Sequence, residues 1–387
     1  MRKIVAAICL LFGCQNSDSV KTTNELGIPI SIGQAKIALD KGINLSGWFT
    51  DFSDPSLYAS RFSADDLKRI KSSGFSHIRL PIATSLLFQE NSPSVLNQQN
   101  LLFIDNAVKK AIGAGLAVLI DPIHNYDGGF EKKLATTSGF DDKVVAYWQA
   151  IAKAFSTYAT DKVFFEVYNE PHAASGTVSG LSKSWWWPVQ LKFVQAIRKI
   201  TRNHFIVVGA EGWNNRFDLM NEKPYAEENI VYNFHFYDPF LFTHQGADWT
   251  GWLPAQQASN VPYPSSPAAV AALVSATTQQ ELKDILGWYG NQKYNYDSLL
   301  KWVKPVADWG KRNNAVVTCN EFGSYKLKSP RQSRLNWIGD MRKALEANNI
   351  PWAMWECDEG FGWIDYPNND RSKPIVDNEV LIALGLK

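Results

Sequence analysis

Residues 163–171 read VFFEVYNEP, and no other stretch restricts the fold as much. From Val163 to Val167 every residue except Glu166 is β-branched or aromatic, the composition of a strand covered on both faces. Pro171 lacks an N–H and stops the ladder, so Asn169 and Glu170 fall at the strand's C-terminal lip. A carboxylate there adds little to a core. In an α/β barrel it is where reacting groups are placed.

The rest of the chain repeats this unit. Strand-like runs occur at 42–45, 77–81, 115–121, 163–167, 204–209, 230–237, 315–320 and 351–355. Helical patterns separate them, among them 63–73, where a Ser N-cap precedes acidic residues and Leu67 and Ile70 lie three apart. Most of these strands are apolar without alternation, so both faces are covered and a closed (β/α)8 TIM barrel fits better than an open sheet. One connection is abnormally long: 238–295, after strand six, with helical candidates at 267–273 and 279–288. It holds no core of its own, so residues 28–387 are expected to form one domain. The insertion is expected on the Glu170 side of the barrel.

A net charge of +1 and a charged fraction of 20% leave no basic field for nucleic acid. At the N-terminus, Arg2 and Lys3 precede an apolar run from Ile4 to Gly13, a leader too short to span a membrane. Its end, LFGC, resembles a bacterial lipobox. That resemblance implies removal of 1–13, lipid on Cys14, and 14–27 as a flexible tether to an outer membrane or cell surface. Cys319 and Cys357 then remain, both in apolar runs, and read as core thiols. There is no CxxC or HExxH, and neither metal nor cofactor is expected; a monomer is.

The polar and aromatic residues at the strand ends are Arg79, His124, Asn169, Glu170, Trp213, His235, Tyr237, Glu321 and Trp355. Distant in sequence, they would converge at one barrel mouth. Glu170 and Glu321 come from strands four and seven, on opposite sides of it. An opposed carboxylate pair is what glycosidic bond cleavage needs, one group to protonate the leaving oxygen and one to attack or to activate water. The chain has 15 Trp and 14 Tyr, more than a core needs, and flat rings suit the apolar face of a pyranose. Trp213 fits sugar stacking or core packing, and Trp48 and Trp249 are further candidate platforms. The WWW run at 185–187 fits a cleft platform or a buried helix start. Asp121 and His172 lie near the mouth as candidate supports, and Asp358 and Glu359 fit either ligand contact or a solvated loop.

Residues 33–387 resemble glycoside hydrolase family 5, which includes many bacterial cellulases. The resemblance is carried by IRLP at 78–81, HN at 124–125, YNEP at 168–171, HFY at 235–237, EFG at 321–323 and Trp355. It implies Glu170 as acid/base and Glu321 as nucleophile of a retaining mechanism, with their carboxyl groups about 5 Å apart. It further implies Arg79 and Asn169 as electrostatic and hydroxyl-binding supports and His124 and His235 as glycone ligands. Tyr237 would partner the nucleophile, and Trp355 would floor the −1 subsite. Arg79 is expected to keep Glu321 ionised, and the Glu321 charge to raise the pKa of Glu170. The expected activity is endo-hydrolysis of β-1,4-glucan. β-Mannan, xylan or xyloglucan hydrolysis, and a non-catalytic surface glycan-binding lipoprotein, are the alternatives.

Overall fold

A computed structural model describes residues 31–124 and 129–386, and counts of elements refer to these residues. The segments expected as leader (1–13) and tether (14–27), with Cys14, and Asn125 lie outside them. Eight parallel strands close into a barrel in chain order: β1 (Lys41–Asn44), β2 (His77–Ala83), β3 (Ala117–His124), β4 (Val163–Glu166), β5 (Ile206–Gly209), β6 (Ile230–Phe236), β7 (Val316–Phe322) and β8 (Trp352–Met354). Pairing of Lys41 with Trp352 and Gly42 with Ala353 completes the ring. All eight strands foreseen from the sequence are present, with ends shifted by one to a few residues. The helix Gly129–Thr136 was not foreseen, because it is short and opens on a glycine.

Between strands run amphipathic helices with side-chain caps. Ser63 and Asp66 form a reciprocal capping box on Ala64–Ser72, which buries Leu67 and Ile70. Asn97 caps Gln98–Gly113 and Asn295 caps Tyr296–Arg312. The main core lies between these helices and the outward faces of the strands, where Val163, Phe165 and Val167 alternate with inward residues. Trp48 belongs to it, stacked on Phe49 and donating its indole N–H to Tyr58 O. It is no cleft platform. Trp186 is likewise buried, which settles the WWW run as a packed helix start. Cys319 and Cys357 are buried free thiols.

The barrel interior is graded along its axis. At one end a smaller apolar cluster holds Leu119, Phe164, Val207, Val231 and Val316, plugged by Ala35 and Leu39 at the helix Ile32–Ala38. Two residues further along the same strands, the inward positions turn polar: Asp121, Glu166, Asn233 and Thr318, followed by Asn320. A strand has a two-residue period, so this gradient is written directly into the sequence. It seals the N-terminal end with hydrocarbon and leaves hydrogen-bonding groups at the C-terminal end.

Two register shifts sharpen the effect. Phe234 pairs with Cys319 but His235 with Glu321, so β7 carries one extra residue there. Asn320 and Glu321 therefore both face inward, where strict alternation would turn one away. A similar shift between Pro81 and Ala83 lets Asp121 and His124 of β3 both point in.

The 238–295 segment holds four helices, including Pro267–Ala276 and Gln280–Gln292 near the two foreseen ones. Its first part lies at the C-terminal ends of β6 and β7: Tyr325 N–H donates to Thr243 O (2.8 Å) and Asn260 N–H to Lys328 O (3.0 Å). Trp249 sets its ring edge to face with Tyr325 there. The later part packs on the outer helix layer, through Tyr263 to Asp340 and Tyr294 against Trp302. No helix among the described residues is long and apolar enough to cross a membrane.

Candidate active site

Arg79, the third residue of β2, is fully buried and organises the floor of the mouth. Its Nε and Nη2 grip Glu166 in a fork, at 2.7 and 2.9 Å. Nη2 also reaches Asp121 (3.1 Å) and Asn169 (2.8 Å), and Nη1 reaches Asn44 (3.0 Å) and Glu321 (2.6 Å). Six contacts from one planar group fix four strands and both sides of the mouth relative to one another. Burial works against the guanidinium charge, and the Glu166, Asp121 and Glu321 carboxylates outweigh it.

Glu170 and Glu321 face each other above this floor. One oxygen of each and a ring nitrogen of His235 all lie within 4.8 Å of one another. Their partners differ. Glu321 accepts from Arg79 and, through its other oxygen, from the Tyr237 hydroxyl at 2.9 Å. Glu170 meets His235 Nδ1 at 2.8 Å. The protonation of that imidazole follows from a chain of contacts. Asn320 N–H donates to Asn233 Oδ1 (3.0 Å), which turns the Asn233 amide nitrogen towards His235 Nε2 (3.1 Å). Nε2 is therefore an acceptor and Nδ1 carries the proton, aimed at Glu170 and, at 3.5 Å, at Glu321. Burial holds His235 neutral, with its pKa lowered to about 4.

Burial raises both carboxyls above the ordinary carboxylate range, so the facing pair retains a proton towards neutral pH, and the Arg79 and Tyr237 donors on Glu321 favour leaving that proton on Glu170. For Glu170 the largest cause is loss of water, with the Glu166 carboxylate adding to it; the like charges of Glu170 and Glu321 also oppose each other, which raises Glu321. For Glu321, desolvation outweighs the pull of His235 and Arg79, so its ionised form rests on the donors aimed at it. These three groups are also the cluster among the described residues with metal-ligand spacing. Arg79 holds Glu321 Oε1, and the His235 Nδ1–H faces Glu170 Oε1 and Glu321 Oε2, so positive charge and a donor already meet these carboxylates, which suits proton transfer and discourages a cation.

The remaining expected residues surround this pair. Trp355, just past β8, lies parallel to the His124 ring (6.2 Å, 7°), and His124 Nδ1 is 3.0 Å from Asp121. Trp213 follows β5; it is 45% exposed and stacks on His172 (5.0 Å, 12°), which separates it from the core. Asp358 and Glu359 are taken by Arg61, and Asp358 also by Arg371, so this loop pair is a salt-bridge anchor. Sequence reasoning missed Asn44, Glu166, Asn233 and Asn320 as parts of the site. Glu166 had a signal: a lone charge inside an apolar strand must find a partner.

The sequence profile of the cellulases (glycosyl hydrolase family 5) matches residues 38–360. The chain belongs to that family. It is therefore a glycoside hydrolase. Cellodextrinase A of Ruminococcus flavefaciens is 33% identical over 356 residues, covering 88% of this chain and 92% of that protein. Endoglucanase 3 of Fibrobacter succinogenes is 26% identical over 342 residues, 84% of this chain; the chain spans 50% of that protein's length. Among solved structures, an endoglucanase from the hyperthermophilic Thermotoga maritima superposes with a TM-score of 0.72 at 25% identity, covering 91% of this chain and 98% of that one.

Proposed function

We propose that residues 28–387 act as one catalytic domain that hydrolyses internal β-1,4-glucan linkages with retention of configuration. Glu170 is the acid/base and Glu321 the nucleophile. The observation that carries this reading is the carboxylate pair itself: oxygens within 4.8 Å, with unequal donors. A retaining pair is about 5–5.5 Å apart and an inverting pair about 6.5–9.5 Å.

In the first step a Glu321 oxygen attacks the anomeric carbon as the glycosidic C–O bond breaks, and the leaving oxygen takes the Glu170 proton. Arg79 and Tyr237 stabilise the negative charge that Glu321 needs to attack. Esterification removes that charge. Glu170, now a base, then takes a proton from water, which attacks the same carbon and releases Glu321. Trp355 floors the ring being cleaved, His124, Asn169 and His235 bind its hydroxyls, and Trp213 stacks on a sugar of the leaving chain. The substrate class follows from flat stacking faces, which suit equatorial glucosyl units. Kinship with a protein named cellodextrinase favours a second reading, hydrolysis of short β-1,4-gluco-oligosaccharides.

Initial rates on carboxymethylcellulose, cello-oligosaccharides, β-mannan, xylan and xyloglucan, with viscosity followed against reducing ends, test both. A rapid viscosity fall on carboxymethylcellulose is expected. A preference of about tenfold or more for mannan, worth ~1.4 kcal/mol of transition-state binding, would reject the glucanase reading. We further infer from the leader that the enzyme is exported and tethered through lipidated Cys14, with the catalytic domain acting as a monomer.

A further inference from the structure

The loop that carries Glu170 is held from below by two buried carboxylates that touch none of the sugar-facing groups. Glu170 has φ 47°, a left-handed conformation that a residue with a Cβ adopts only where its surroundings impose it. The groups that impose it lie in the next five residues. The Glu170 carbonyl faces His172 Nδ1 at 2.7 Å, so Nδ1 carries a proton and donates. His172 N–H donates to Glu131 Oε1 at 2.5 Å. Ala174 N–H and Ser175 N–H both donate to Glu211 Oε1, at 2.8 and 3.0 Å, and the Ser175 hydroxyl donates to Glu211 Oε2. Pro171 O accepts from Trp213 N–H at 3.1 Å.

Glu131 is the member with the least structural reason to be charged. It comes from the helix Gly129–Thr136, which follows β3, and is 1% exposed. Its Oε2 is buried without a hydrogen bond and faces His172 Nδ1 at 3.5 Å, while the backbone N–H groups of His172 and Ala173 favour its charged form against the cost of burial. A neutral amide could accept from the same backbone N–H groups without burying a charge. A carboxylate does something else: it confronts the ring proton of His172 and keeps that proton on Nδ1, where it meets the Glu170 carbonyl. The same ring stacks on Trp213. Glu131, His172 and the Glu170 backbone thus form one connected unit with the exposed tryptophan.

We propose that Glu131, acting through His172, is a positioning residue for the proton donor: it fixes the left-handed peptide that aims the Glu170 carboxyl at the leaving oxygen. This rests on the reading of Glu170 as acid/base. Replacement by glutamine keeps an acceptor for His172 N–H but removes the negative charge facing Nδ1–H. Glu170 then loses its aim while Glu321, held by Arg79 and Tyr237 on the far side, keeps its own.

The test compares kcat/KM for two substrates of the full chain, cellotetraose and 2,4-dinitrophenyl β-cellobioside. The aryl group leaves without a proton, so its rate reports attack by Glu321 alone, whereas cellotetraose requires the acid. Glu131→Gln is expected to lower the cellotetraose-to-aryl ratio by about tenfold or more, since an ångström of misplacement can cost about 10²-fold. Glu170→Ala, measured alongside, is expected to lower that ratio further. If Glu131→Gln leaves the ratio unchanged, whether or not both rates fall, the positioning role is overturned, and a fall in both marks a structural role. If Glu170→Ala itself leaves the ratio unchanged, the acid/base reading fails and the inference falls with it. Should Glu131→Gln fold poorly, His172→Asn, whose amide replaces the Nδ1 donor, is expected to retain most of the ratio. His172→Ala is expected to lose it, and equal ratios for these two would also overturn the proposal.

Discussion

Replacing Tyr237 by phenylalanine isolates one term in the charge balance of the site. The hydroxyl donates to Glu321 Oε2 at 2.9 Å, and burial beside Glu321 keeps it protonated across the working range. The ring also packs edge to face with His244 and Phe361, contacts that phenylalanine retains. A hydrogen bond to a charged group contributes about 1.5–3 kcal/mol, and this one is longer than the usual charge-assisted O–H···O⁻, so the lower figure applies. About 1.5 kcal/mol is roughly one pK unit, and it acts only on the ionised form. The sign follows: without the donor the Glu321 carboxyl holds its proton to higher pH, and the acid limb of kcat/KM moves up. Starting from a pKa of about 7, the variant's ionised fraction at pH 6 falls about tenfold relative to the parent, and at pH 9 by only about a tenth. The assay is the variant-to-parent ratio of kcat/KM from pH 5.5 to 9 on one soluble substrate. A ratio independent of pH, or one that worsens towards high pH, would refute the assignment of Tyr237 as the partner of an ionised Glu321.

Other expectations follow from the same geometry. Arg79→Lys replaces six directional contacts by three donors on a point charge. It should lower stability by about 3–5 kcal/mol in denaturant titration, with activity nearly lost. Glu170→Gln should stabilise the fold at neutral pH. The parent carboxyl is raised from 4.5 to about 6, so the native state binds more protons in that window and its stability falls as pH rises through it. The variant lacks this fall, giving a calorimetric advantage of about 1–2 kcal/mol above pH 6 and none below pH 4.5. Cys14→Ser should release the enzyme from the membrane fraction into the soluble one, and an unchanged membrane fraction would contradict the anchor.

The barrel was legible because its signals are local. Unalternating apolar runs, Ser and Asn caps, and helix-length spacing each report on a few adjacent residues, and eight repeats leave one architecture. The convergent residues were legible for a related reason: a polar group that ends an apolar strand has nowhere else to go. What the sequence hid depended on register. The extra residue in β7 turns both Asn320 and Glu321 inward, and nothing in VVTCNEF announces it. Glu131 grips its backbone donor from the short helix Gly129–Thr136 and Glu211 from the turn after β5, where too few residues repeat for periodicity to mark a buried carboxylate. Trp48 misled for a third reason: counting aromatics does not say which indole N–H finds a partner inside. Likewise the carboxyl pKa values reflect burial more than their neighbours' charges, and burial is a property of the assembled mouth.

The central claim is that Glu321 forms a covalent bond to the sugar while Glu170 moves the proton. A 2-deoxy-2-fluoro-β-cellobioside with a dinitrophenolate leaving group tests it directly, because fluorine slows both steps while the reactive leaving group restores the first, so the glycosyl-enzyme accumulates. Intact mass followed by peptide mapping is expected to show one sugar per chain, on the peptide that contains Glu321. A label on Glu170, or an enzyme that turns over cello-oligosaccharides yet never accumulates the adduct and yields the inverted anomer, would contradict the account.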